Sequence, residues 1–151
     1  APMWKGRWGA MTRVRVIHEA DLPWSVSQVW RVVTNVDQWR WRSDLERCER
    51  AGERDFVEYP KGGTPIRFTT VRREEERGWE FTIDGDTLEG CWRGVFVPAG
   101  SGCRLSFTED VDVRGRFVPR WVARLFLRSY QARYFRDLRA ELRRRYGEAG
   151  A

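Results

Sequence analysis

Histidine is nearly absent from this 151-residue chain: His18 is its single occurrence, and Lys5 and Lys61 are its only lysines. One imidazole excludes a multi-histidine metal centre, and a Ser-His-Asp triad would have to recruit that ring. Cysteine is scarce as well. Cys48, Cys91 and Cys103 are odd in number and show no C-x-x-C spacing. Neither a disulfide framework nor a thiolate metal site is expected, and no metal or redox cofactor is assigned. Long apolar runs are missing too. The stretch from Trp121 to Leu127 is broken by Arg124, and a membrane span needs roughly 20 apolar residues. Residues 1–10 hold no apolar core of the secretory kind, so a cytoplasmic protein is the default expectation. Because Met11 follows them, residues 1–11 are read as an N-terminal extension or a remnant of cloning, and 12–147 as a single domain.

What is present points to a sizeable core. Hydrophobic residues make up 41% of the chain and tryptophan occurs nine times, which excludes a disordered polypeptide. The net charge of +6 comes almost wholly from arginine, which favours anionic partners, although carboxylates are interspersed along most of the chain. The longest periodic element runs from Phe117 to Gly147. Val118, Val122, Leu125, Ser129, Ala132, Phe135, Leu138, Leu142 and Tyr146 recur at helical spacing. Pro119 suits a first turn, Gly147 a C-cap, and Arg143–Arg145 the negative end of the dipole. Such a helix is roughly 40 Å long and needs a large apolar surface to lie on.

The rest of the chain supplies that surface. Residues 12–20 alternate as a strand with Val14, Val16, His18 and Ala20 on one side. Ser25 and Gln28 form a capping box for a helix ending near Asn35, and Asp37 is placed to cap a second, short helix holding Trp39 and Trp41. Strands follow near 45–50, 54–60, 64–73, 78–84, 87–97 and 103–113, separated by turns at Gly52, Pro60–Gly63, Arg77-Gly78, Asp84–Asp86 and Pro98–Gly102. Gly90 and Gly94 fall inside a strand and suggest places where a strongly bent sheet needs bulges or relief.

The residues themselves resemble a family. Pro23 with Val29-Trp30 is similar to a Pro-x-x-x-Val-Trp helix entry with one extra residue. Trp39-Arg40-Trp41-Arg42-Ser43-Asp44-Leu45 resembles its Trp-Arg-Ser-Asp-Leu exit, and Phe107–Val111 and Tyr130-Gln131-Ala132 resemble its last strand and terminal helix. The chain thus resembles the START-like, or SRPBCC, superfamily, in its bacterial polyketide cyclase/dehydrase-type branch, over about residues 12–146. The resemblance implies an α+β helix-grip fold. About seven antiparallel strands in the order β-α-α-β6-α would curl around the long C-terminal helix over a hydrophobic cavity. It also implies that the first and last strands are neighbours.

Strand parity then selects the candidates. Phe68, Phe81, Trp92 and Phe107 share the inward face and are expected to form one wall of a ligand cavity. Val122, Leu125, Phe126 and Ser129 are expected to form the helix floor opposite. His18 and Glu109 are polar residues of inward parity, weak candidates for a general base and equally readable as satisfied core groups. Glu74-Glu75-Glu76 reads as a solvated charge run. Arg120, Arg124 and Arg128, at four-residue spacing, read as a solvated outer face, with nucleic acid not expected as a partner. The expected function is binding of a small hydrophobic or polycyclic molecule, lipid- or polyketide-like, by a monomer or weak dimer without a cofactor. Two alternatives stay open: a polyketide aromatase/cyclase using His18 or Glu109, and an interaction module using the arginine-rich face. The catalytic reading gains if both polar residues line one open cavity and the carrier reading if the cavity is uniformly apolar, whereas the interaction reading requires a contiguous basic patch and a small or filled cavity.

Overall fold

The computed structural model describes residues 11–114 and 118–148. Residues 1–10 and Phe117, which carry expectations above, lie outside that set. The strands are β1 (Met11–Leu22), β2 (Leu45–Arg50), β3 (Asp55–Pro60), β4 (Ile66–Glu74), β5 (Gly78–Gly85), β6 (Leu88–Ala99) and β7 (Gly102–Arg114), and the helices are α1 (Val26–Thr34) and α2 (Arg120–Tyr146). The seven strands form one antiparallel sheet in the order β1-β7-β6-β5-β4-β3-β2. The sheet curves around α2, which is the helix-grip arrangement.

Local chemistry explains most of these elements. In β1, Val14, Val16, Ala20 and Leu22 are buried while Arg13, Arg15, Ile17 and Glu19 face outward, so a one-residue slip would expose the whole apolar set. The capping box closes the start of α1: the Gln28 amide N–H donates to Ser25 Oγ at 3.2 Å and the Ser25 N–H donates to Gln28 Oε1 at 3.0 Å. Val29, Trp30, Val32 and Val33 then bury one face of α1.

One local expectation is corrected and another is narrowed. No second helix follows α1. The Asp37 N–H donates to Asn35 Oδ1 at 3.2 Å, and isolated turns continue to Asp44. Tertiary bonds override helix propensity here, because Ser43 donates through both its N–H and Oγ to Asp137 Oδ2 (2.8 and 2.7 Å) and so ties the segment to α2. Of the bulges or relief expected at Gly90 and Gly94, the structure shows relief, since the β5–β6 and β6–β7 registers run through them unbroken. Each makes room instead: a Cβ at Gly94 would stand 2.3 Å from the Trp92 ring, and one at Gly90 (φ +157°) 2.2 Å from the Asp110 carbonyl oxygen. The Glu74–Glu76 run is solvated as expected, and Glu75 also accepts a hydrogen bond from Trp30 Nε1 at 2.8 Å.

The terminal helix is where expectation and structure part most. Its C-terminal half buries Phe135, Leu138 and Leu142 as its spacing indicates. Its N-terminal half buries Ala123, Leu127 and Gln131, whereas Trp121, Val122, Leu125, Phe126, Ser129 and Ala132 are exposed. At 100° per residue the exposed apolar set lies on the opposite side of the helix from the buried one. Large side chains stand on both sides, and the heavier side is the outer one.

Candidate functional site

Between the N-terminal half of α2, the 36–44 loop and strands β2 to β7 lies a cavity of about 630 Å³. That volume suits one small molecule. Its aromatic wall is built by Phe56, Phe68, Trp79, Phe81, Trp92 and Phe107, all buried and projecting inward from alternate positions of β3 to β7. Phe81 and Trp92 stack at 4.6 Å between ring centroids, and Phe56 and Phe68 at 4.8 Å. The exposed lining residues Lys61, Thr64, Thr87, Phe126 and Arg133 mark where the cavity meets solvent.

One patch of the lining is polar. Arg42 from the loop donates through Nε and Nη2 to both oxygens of Asp44 at 2.9 Å, and through Nη1 to Glu58 Oε2 at 3.1 Å. Tyr130 Oη of α2 donates to Asp44 Oδ2 at 2.7 Å. The guanidinium lies 4.8 Å over the Tyr134 ring. Burial acts to raise the Asp44 carboxyl, but the bonds and charge of Arg42, with Tyr130, outweigh it and hold the group below its usual range. This network is closed upon itself.

Beside it sits a second polar set that is not closed. Glu109 of β7 is pushed up to about 7, chiefly by burial. Gln131 opposes that shift, Glu58 adds to it and Arg42 draws it down. Gln131 approaches Glu109 near enough to act on its charge, yet without hydrogen-bond geometry, and neither atom of its buried amide has a partner. Trp41 Nε1 is likewise buried and unpartnered. These are the only such side-chain atoms among the described residues, and both residues line the cavity. Buried polar groups are nearly always hydrogen-bonded, so these atoms on one cavity lining call for water or a bound molecule to complete them.

The family follows from this fold and a match over most of the chain. Residues 13–147 match the model of the family described as "Polyketide cyclase / dehydrase and lipid transport". The chain belongs to that family. No curated protein sequence matches it. Among solved structures, it is similar to a START superfamily protein from Mycobacterium smegmatis at 13% identity and TM-score 0.79, covering 86% of this chain and 97% of that one. It is also similar to the di-domain ARO/CYC StfQ of the steffimycin biosynthetic pathway at 16% identity and TM-score 0.70, covering 90% of this chain and 52% of StfQ. A conserved protein from Geobacillus kaustophilus superposes at 11% identity and TM-score 0.75, covering 88% of this chain and 96% of that one. At such identities the likeness to these structures is one of fold.

Of the residues selected from sequence, Phe68, Phe81, Trp92, Phe107, Phe126 and Glu109 line the cavity. Val122, Leu125 and Ser129 do not; they are on the outer face of α2, because its inward face carries Leu127, Tyr130, Gln131 and Tyr134 instead. His18 is also elsewhere. It stacks on Phe135 at 4.4 Å, outside the lining, and burial followed by the charge of Arg139 lowers its pKa. His18 and Glu109 therefore do not meet across one cavity, and the cavity is not filled. Sequence reasoning passed over Arg42, Asp44, Glu58, Tyr130 and Gln131. Glu58 was within reach, since it shares the inward parity of Phe56. Cys48 lines the cavity too, but burial pushes its thiol up to about 12, far from a reactive thiolate.

Proposed function

We propose that this protein binds a small, mostly apolar, ring-containing molecule that carries oxygen at one end. The rings would lie against Phe81, Trp92 and their neighbours, and the oxygen would meet Gln131, Trp41 and Glu109. The observation that carries this reading is the set of orphan donors and acceptor in the cavity wall. A purely hydrocarbon ligand would leave them unpaired, at a cost of about 1–3 kcal/mol for each group. A ligand oxygen that both donates and accepts relieves it.

Native mass spectrometry of freshly purified protein tests for a co-purifying molecule, and calorimetric titration compares 2-naphthol with naphthalene. The expected outcome is tighter binding of the naphthol by at least roughly tenfold. Equal affinity for the two would remove the polar set from recognition.

A second reading, a polyketide cyclase or dehydratase, is favoured by one observation: a carboxyl that titrates near 7 inside the cavity suits general acid–base work. Glu109 would take a proton from a carbon next to a ligand carbonyl. It would return that proton to a departing hydroxyl, so that a C=C bond forms, a C–O bond breaks and water leaves. The family description and the ARO/CYC neighbour support this reading. Water loss from a β-hydroxy ketone of suitable size, abolished by Glu109→Gln while binding persists, separates it from simple carriage.

A further inference from the structure

The first half of α2 is apolar on both sides, and only one of those sides is covered by the protein. Trp121, Leu125 and Phe126 are 66%, 58% and 64% exposed, with Val122 beside them. Four large apolar residues on two successive turns of one helix are not the scattered singles that any surface shows.

The charge around them has one sign. From Val118 to Arg136 the chain holds Arg120, Arg124, Arg128, Arg133 and Arg136 and no carboxylate. Elsewhere arginines are mostly paired, as in Arg104–Asp21 at 2.9 Å, Arg50–Asp37 at 3.0 Å and Arg144–Glu141 at 2.7 Å. Arg120, Arg124 and Arg128 pair with no carboxylate among the described residues. Asp110 and Asp112, the carboxylates next upstream, are engaged by Arg13 at 3.3 and 3.6 Å.

We propose that the outer face of the N-terminal half of α2 docks on an anionic lipid bilayer. Trp121, Val122, Leu125 and Phe126 would enter the headgroup–acyl boundary, and Arg120, Arg124 and Arg128 would meet lipid phosphates. A tryptophan-bearing apolar face flanked by arginines is what an interfacial helix offers a membrane. A second copy of this chain fits less well. A twofold contact would set the same patch against itself, bringing unpaired arginines together with no carboxylate between them. Nucleic acid fits less well again, since its phosphates would answer the arginines and leave the apolar cluster wet.

The position of this face gives docking a use. Phe126 belongs both to the exposed cluster and to the cavity lining, and Arg133 stands at the mouth. A bilayer seated there would lie against the cavity opening, and an apolar molecule could cross between them with little contact with water. That use rests on the ligand-binding reading; the docking does not.

Co-sedimentation with vesicles tests the docking directly. One set is pure phosphatidylcholine, and the other includes a minority of phosphatidylglycerol. Wild-type protein should pellet with the anionic vesicles at least roughly tenfold more than with the neutral ones, and added salt should release it. The double variant Trp121→Ser/Leu125→Ser should lose most of this binding with its circular dichroism unchanged. The variant Arg120→Glu/Arg124→Glu/Arg128→Glu should lose it too. Neither Trp121 nor Leu125 lines the cavity, so the double variant should still bind naphthol, which keeps the two readings separable. The proposal is overturned if wild type ignores anionic vesicles at low salt, or if the serine variant pellets like wild type. A wild-type dimer in analytical ultracentrifugation that the serine variant dissolves would assign the face to a second copy instead. Salt-dependent RNA binding lost only in the arginine variant would assign it to nucleic acid.

Discussion

The two halves of α2 are one continuous helix put to opposite uses. The C-terminal half is gripped. Leu138 and Leu142 have no exposure at all, Phe135 stacks on His18 from β1, and Trp24 Nε1, just before α1, donates to the Gly147 carbonyl at 3.0 Å. The N-terminal half roofs a space. Its inward face, with Ala123, Leu127, Tyr130 and Gln131, leaves an open space before the aromatic wall, and Trp121, Leu125 and Phe126 point to solvent. The lesson is that a sheet curled around a helix holds it firmly by one end only. Stability is concentrated at that end, and binding capacity at the other.

The largest effect should come from breaking the gripped half. Leu138→Ala removes a wholly buried side chain and should cost about 2–5 kcal/mol in urea denaturation, whereas Leu125→Ala should cost less than about 0.5 kcal/mol. Similar losses at the two sites would erase the contrast.

A comparable loss is expected where the loop joins the roof. Arg42→Leu leaves Asp44 and Glu58 buried without their cation, and should cost about 3–5 kcal/mol. It should also raise the pKa of Glu109 further, since Arg42 draws it down. A pH titration of Glu109 followed by NMR checks the direction.

A smaller effect concerns pH. The Glu109 carboxyl lies at about 7 in the folded protein against an ordinary value of 4.5, so the folded state binds its proton more tightly than the unfolded state does. Its contribution is therefore most favourable below about 4.5 and is lost as pH rises towards 7, roughly 3 kcal/mol in all. His18, whose pKa is lowered by burial, works the other way below its ordinary value of 6.5. The difference between wild type and Glu109→Gln isolates the carboxyl. If both show the same pH profile across this window, Glu109 does not titrate there.

Much of the fold was legible because it is written in short-range signals. Alternation, turn residues and the Ser25–Gln28 box depend on neighbours a few positions apart, and the strands fell where those signals placed them. The wall residues Phe68, Phe81, Trp92 and Phe107 were accessible for the same reason, since a period of two assigns each strand face. The helix floor was not. Residues 118–134 present two apolar faces, and periodicity alone favours the one with the bigger side chains, Val122 and Leu125, which is the outer one. Hidden too was the 36–44 loop. Its local residues suit a helix, and only bonds from Ser43 to Asp137 and from Arg42 and Asp44 to Tyr130, more than eighty positions away, decide against it.

The central claim is that the roof half of α2 keeps polar groups unpaired for the sake of a ligand. Gln131→Leu tests it most directly, because its two consequences have opposite signs. Replacing a buried, unpartnered amide with an apolar group of similar size should stabilise the free protein by about 1–3 kcal/mol in urea denaturation. The same change should weaken 2-naphthol binding roughly tenfold in calorimetry. A variant that is less stable than wild type, or that binds naphthol equally well, would contradict the account. In the first case the amide already serves the fold, and in the second it serves no ligand.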